Sequence, residues 1–122
     1  MPQGGRIVNT SSIASKMGMS QAPVYGATKA ALDSLSFAWA QEFGRSKGIT
    51  VNSVAPGPVA TDIIPASADV DAIFASVINM TRAANRVGTA QDIADTVLLV
   101  VSEKGRWITG QHISASGGVT GQ

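Results

Sequence analysis

The pattern that most restricts the fold is a pair of short, β-branched runs placed on either side of one long helix-compatible stretch. "GRIVNTSS" sets Ile7 and Val8 between a glycine and a serine cluster, which predicts a buried strand over residues 6 to 11. "ITVNSVAPG" is valine-rich and halted by Pro56 and Gly57, which predicts a second buried strand over 49 to 55. Between them, "APVYGATKAALDSLSFAWAQEFGRSKG" predicts a helix over about 23 to 45, closed by basic residues and Gly48. Strand, crossover helix and strand make a βαβ unit, whose strands run parallel and whose crossover is right-handed.

The long helix carries two apolar stripes. Ala27, Ala31 and Ala38 form a narrow one, and Leu32, Leu35, Trp39 and Phe43 a bulky one, so two packing partners are expected. Further on, Val70, Ile73, Phe74, Val77 and Ile78 recur at helical spacing behind a cap at Ser67 or Asp69. Thr89 and Asp92 begin a third helix of capping-box type. Its buried stripe is Ile93, Val97, Val100 and Val101, and it ends near Lys104 and Gly105. "QHISAS" reads as a last strand. The expected class is α/β, with about three parallel strands and flanking helices in the order β-α-β-loop-α-α-β.

At 122 residues, 44% hydrophobic and 14% charged, the chain is expected to be a single domain with one core and extensive surface needing cover. Nine basic and eight acidic residues form no cluster, which argues against nucleic acid or an anionic membrane as partner. Without cysteine there is neither a disulfide nor a thiolate metal site, and no metal site is expected. No apolar run reaches the length of a membrane span and no signal peptide is recognisable, so a cytoplasmic location is expected. The sequons at Asn9 and Asn79 are read as coincidental.

Parallel strands present ligands at their C-terminal ends, and the polar groups here gather at those ends. Ser11 and Ser12 close the first strand, "PGPVATD" follows the second, and Tyr25 and Lys29 stand four residues apart on the connecting helix. A free phenol titrates near 10, so it needs help to exchange a proton at neutral pH. An ammonium ~4 Å away, at an effective dielectric near 20, favours phenolate by up to about 4 kcal/mol. Ser12 is placed to hydrogen-bond a substrate oxygen on which charge develops, and Lys29 to reach a ribose hydroxyl. Against these stand plainer readings: a solvated helix pair for Tyr25 and Lys29, a cap for Ser12 and a strand-ending turn for "PGP". His112 is read as structural, and Met17, Met19 and Met80 as core fillers more readily than pocket walls.

Taken together, "GGRIVNTSSIAS", "YGATKAAL", "GITVNSVAPGPVATD", "RVGTAQDIADTVLLVVS" and "ITGQHISASGG" resemble, in order, the C-terminal half of the short-chain dehydrogenase/reductase family. The resemblance implies half of a doubly wound, Rossmann-like parallel sheet. It makes Tyr25 the catalytic acid/base, Lys29 the group that eases its proton release and holds the nicotinamide ribose, and Ser12 the orienter of the carbonyl. Pro56, Gly57, Val59 and Thr61 match the segment that holds the nicotinamide end of NAD or NADP. Residues from about 63 to 82 match the variable substrate-binding region, for a small-molecule carbonyl or alcohol. The family's long helix and final strand also form intersubunit contacts, which implies a homo-oligomer through the 23 to 45 helix.

The family's glycine-rich phosphate-binding turn, its NNAG segment and a catalytic Asn do not occur in this sequence. The dinucleotide-binding half is therefore expected to be missing, and with it most cofactor affinity. "SASGG" also carries Ala115 and Ser116 where the family usually has Val-Asp. Three functional readings follow: a truncated reductase acting through hydride transfer, a cofactor-free isomerase or dehydratase using Tyr25, Lys29 and Ser12, and a non-catalytic oligomerisation module. Self-association is expected in each, because the first strand offers an open edge.

Overall fold

The computed structural model describes residues 1–63 and 69–121. In chain order it has β1 (Arg6–Thr10), α1 (Ala14–Met17), α2 (Pro23–Lys47), β2 (Thr50–Pro56), α3 (Val70–Ile78), α4 (Ala90–Val101) and β3 (His112–Ala115). A 3-10 turn at Glu103–Gly105 follows α4. The strands form one parallel sheet in the order β1-β2-β3, with Ile7 opposite Val51 and Val54 opposite Ile113. The class is α/β, as the alternation of strand and helix signals predicts.

β2 is the central strand and its residues from Thr50 to Ala55 are buried, with Val51, Val54 and Ala55 among the core and Thr50, Asn52 and Ser53 buried beside them. Two of its polar members, Asn52 and Ser53, are tied by side-chain hydrogen bonds. Asn52 donates to the Ile108 carbonyl at 2.8 Å and accepts from the Gln111 amide at 3.1 Å, which ties the approach to β3 onto β2. Ser53 donates to Ser36 of α2 at 2.9 Å. The Ser36 hydroxyl also accepts from the Asn9 side chain and donates to the Leu32 carbonyl, both at 2.8 Å, so it pins α2 to two strands. Asn9, the first sequon, is thereby engaged inside the fold.

α2 runs two residues beyond its expected end and stops where Gly48 turns left-handed at φ 64°. Its sheet-facing side is that of the predicted bulky stripe, but the fully buried positions on it are small and Leu35 lies outside it. Ser36 and Ala40 are the buried residues, because the helix approaches the sheet too closely there for larger side chains. Trp39 and Phe43 flank the contact and pack with Ile7 on the Ala40–Ile49–Val51 cluster. The alanines at 27, 31 and 38 are exposed, and so is Leu35.

α1 is a single turn in a stretch expected to be loop. The Ser12 hydroxyl accepts the Ala14 amide, Ala14 is buried, and Gly18 ends the turn at φ 62°. The strands shift by a residue at their ends: the first stops at Thr10 rather than 11, and the second spans 50 to 56 rather than 49 to 55. Asp69 caps α3 by accepting the Ala72 amide at 3.1 Å, while the alternative cap, Ser67, lies outside the described residues. α4 has the predicted reciprocal cap between Thr89 and Asp92, and Val100 is its buried anchor. Among the described residues no helix is long and apolar enough to cross a membrane.

Candidate active site

Ser12 reaches the site because the chain leaving β1 stays bonded to β2. The Ser11 amide donates to Val54 at 2.8 Å and the Ile13 amide to Pro56 at 3.2 Å. The cap position of α1 is Ile13, which makes no side-chain cap bond, while the Ser12 oxygen accepts the Ala14 amide at 3.1 Å, a local turn contact two residues on. That bond uses a lone pair and leaves the O–H proton free to be given to another acceptor.

Tyr25 and Lys29 occupy successive turns at the start of α2, where Pro23 sits among the first helical residues and lacks no needed donor. The Lys29 ammonium lies 5.7 Å from the centre of the Tyr25 ring and donates to the Thr10 carbonyl at 2.8 Å. One cation thus touches both the helix face and the end of β1. Tyr25 is 48% exposed, open to the cleft before it.

Two glycines set the spacing. A Cβ on Gly26 would stand 2.9 Å from the Ala14 carbonyl, so only glycine lets the Tyr25 turn lie against α1 and bring the phenol toward Ser12. A Cβ on Gly57 would stand 2.8 Å from the Cβ of Ser116, so the Pro56–Gly57 turn depends on its close approach to the end of β3. Beyond that turn, Val59 forms a bridge with Gly88, and the amides of Ala60 and Gly88 bond across at 3.1 and 2.9 Å. Gly88 is held in turn by the start of α4. There Arg86 meets Asp92 at 2.6 Å, and Arg86 with the Thr89 amide holds the Asp92 carboxyl well below the usual carboxylate range.

All seven residues singled out in the sequence line one cleft of about 480 Å³. Ser12, Tyr25 and Lys29 form one wall, and Pro56, Gly57, Val59 and Thr61 the other. A second cavity of about 240 Å³ lies on the far side of Ser12 and Tyr25, and Met17, Met19 and Met80 help to line it. The two hydroxyls therefore stand where the cavities meet. Among the described residues no group of three or more His, Cys, Asp or Glu side chains could hold a metal.

Gly26, Gly88 and Asp33 were missed by sequence reading. Asp33 follows Lys29 by one turn, is buried beside Ser11 and Ser15, and pairs with His112 of β3. Only its i+4 spacing from Lys29 was visible beforehand.

The family model described as enoyl-(acyl carrier protein) reductase matches residues 1–120. The short-chain dehydrogenase/reductase FrzI of Cladobotryum sp is 45% identical over 118 residues, which are 93% of this chain and 46% of that protein. Dehydrogenase OXI1 of Cochliobolus heterostrophus is 42% identical, over 94% of this chain and 50% of its own. Among solved structures, angucycline C-6 ketoreductase LanV with bound NADP superposes with a TM-score of 0.87 at 36% identity, over 98% of this chain and 45% of that one. The chain thus spans about half the length of the curated relatives it matches. On the match across residues 1–120 and on these identities, the chain belongs to the short-chain dehydrogenase/reductase family of oxidoreductases.

Proposed function

We propose that this chain carries the proton-transfer and nicotinamide-facing half of an NAD(P)-dependent carbonyl reductase. The observation that supports this most is the single cleft shared by Ser12, Tyr25 and Lys29 with Pro56, Gly57, Val59 and Thr61. The residues present fit the nicotinamide and its ribose. A cation stands over the phenol on one wall, and the opposite wall is a turn fixed by Gly57 and Gly88. When bound, NAD(P)H supplies a hydride to the carbonyl carbon.

The chain's own residues handle the oxygen. Ser12 gives the O–H that its bond from the Ala14 amide leaves free, and so fixes the carbonyl oxygen at the junction of the two cavities. As the new C–H bond forms, the C=O π pair moves onto that oxygen, which takes the proton of Tyr25. The phenolate left behind is balanced by the Lys29 ammonium, which Thr10 holds in place. Two further N–H donors on Lys29 serve the ribose hydroxyls. The other half of the dinucleotide falls to a partner or adjoining segment with a phosphate-binding turn, and the exposed alanine stripe of α2 to a second copy of the chain.

The test is fluorescence of NADPH on adding the purified chain, alone and with the first half of a related reductase, followed by turnover of a ketone. Binding that weakens roughly tenfold with Lys29→Met, and turnover that disappears with Tyr25→Phe while binding persists, is the expected result. Turnover unchanged by Tyr25→Phe would remove the assignment.

A further inference from the structure

We propose that the smaller cavity takes an uncharged ketone with a flat aromatic body of about two rings, gripped by three methionine thioethers. The proposal rests on the carbonyl-reducing reading above. Met17, Met19 and Met80 converge on this cavity from three separate places: the end of α1, the loop after it, and the segment after α3. The sequence favours methionine as a core filler, yet these three are 38, 38 and 42% exposed, so they do not fill the core. Half-exposed thioethers gathered on one cavity make a soft wall that repacks around a ligand and contacts aromatic rings favourably.

The rest of the wall narrows the ligand further. Ile13, Val77 and Val119 are apolar, and among the described residues no charged side chain lines the cavity. The nearby Arg82 is drawn away, its Nε donating to the Gly118 carbonyl at 3.1 Å. A carboxylate or phosphate placed here would lose its hydration without meeting a counter-charge. Among the described residues Ser12 and Tyr25 supply the only side-chain hydroxyls lining it, enough for one carbonyl oxygen. An apolar cavity of about 150 Å³ holds one benzene ring. The 240 Å³ found here leaves room for a second. Met80 is kept at the wall by its neighbours: the amides of Arg82 and Ala83 both bond to the Gly117 carbonyl, at 2.7 and 3.0 Å.

The test uses the chain itself, labelled with carbon-13 at the methionine methyl groups and observed by NMR. Met1 packs near Gly5, away from the cavity, and serves as the internal reference. Titration with 2-acetylnaphthalene should shift the Met17, Met19 and Met80 signals upfield and leave Met1 in place. The same skeleton with a carboxylate, 6-acetyl-2-naphthoate, should bind roughly tenfold more weakly or worse. The saturated 2-acetyldecalin should also bind more weakly. Met80→Lys should reverse the preference between the neutral and anionic ketones, and Met19→Lys serves the same purpose should the first variant not fold. Equal affinity for the neutral and anionic ketones, equal affinity for the aromatic and saturated ones, or no shift at the three methionines overturns the proposal. None of this requires nicotinamide. Methionine shifts with no NADPH binding even when the first half of a related reductase is added would remove only the reductase reading, and NADPH binding without methionine shifts only this one.

Discussion

His112 Nδ1 of β3 stands 3.0 Å from Asp33 Oδ2 of α2, with both side chains nearly buried at 12 and 11% exposure. The contact is close but not an aligned hydrogen bond, since neither imidazole nitrogen nor either carboxylate oxygen has a well-aligned partner among the described residues. Asp33 also faces Ser11, next to Ser12, and Ser15 of α1. One carboxylate thus joins the end of β1, α1, α2 and β3 directly behind the candidate site. Asp33→Asn or His112→Gln alone should cost about 1–3 kcal/mol, because each leaves a buried polar partner alone. The double variant should lose less than the sum. Urea denaturation of the four species reads the coupling, and strict additivity would show that the pair contributes nothing as a pair.

The same carboxyl sets an acid limit. Burial alone would raise its pKa, but Ser11, Ser15 and His112 together outweigh burial and lower it. A carboxyl held below its ordinary value near 3.9 stabilises the fold above that pH and loses the contribution as pH falls through the lowered value. The stability gap between the wild type and Asp33→Asn should therefore be constant from neutral pH to about 5 and close below about 4. Denaturant midpoints at pH 7 and pH 3 check it; a gap that widens in acid would reverse the sign.

What the sequence made legible was local. β2 announced itself by its apolar run, α4 by the Thr89–Asp92 cap, and the cleft by polar groups placed at strand ends. Four residues cannot display a helical period, so α1 was invisible in the sequence. On α2 the sequence showed the bulky face of Trp39 and Phe43 but not the fully buried Ser36 and Ala40 beside them, whose small size gives no hydrophobic signal. Asp33 with His112, and Gly26 with Ala14, meet only after folding, so no spacing in the chain could reveal them.

Gly26→Ala offers a second probe of the site. On helix propensity alone the change would stabilise α2 by up to about 1 kcal/mol. The added carbon would nevertheless stand 2.9 Å from the Ala14 carbonyl, a backbone atom with little room to move. Overpacking of this kind costs about 1–3 kcal/mol, so the net effect should be destabilising. A raised melting temperature would show that α1 yields easily and that its distance from Tyr25 is not fixed by Gly26.

Lys29→Met keeps the length of the side chain and removes its charge. The bond to Thr10 should be lost at about 1 kcal/mol of stability, since the group is partly solvated. Affinity for a nicotinamide ribose should fall more, roughly tenfold, and Lys29→Arg should restore part of it. Fluorescence titration separates the two effects: an affinity loss no larger than the stability loss would leave Lys29 a purely structural residue.

Self-association should run through the outer face of α2. Ala27, Ala31 and Ala38 are exposed on it, and Leu35 is 42% exposed. Small side chains let two helices approach closely, and an exposed apolar face of this length calls for cover. Leu35→Glu places a charge on that face without touching the core and should shift sedimentation toward the monomer while thermal stability stays within about 1 kcal/mol of wild type. Trp39, which also belonged to the predicted bulky stripe, is the wrong site for this test. It packs on the Ala40–Ile49–Val51 cluster, so a charge there should unfold the chain rather than disperse it. If Leu35→Glu leaves the sedimentation coefficient unchanged at high concentration, the copies meet elsewhere, and the open edge of β1 becomes the contact to examine.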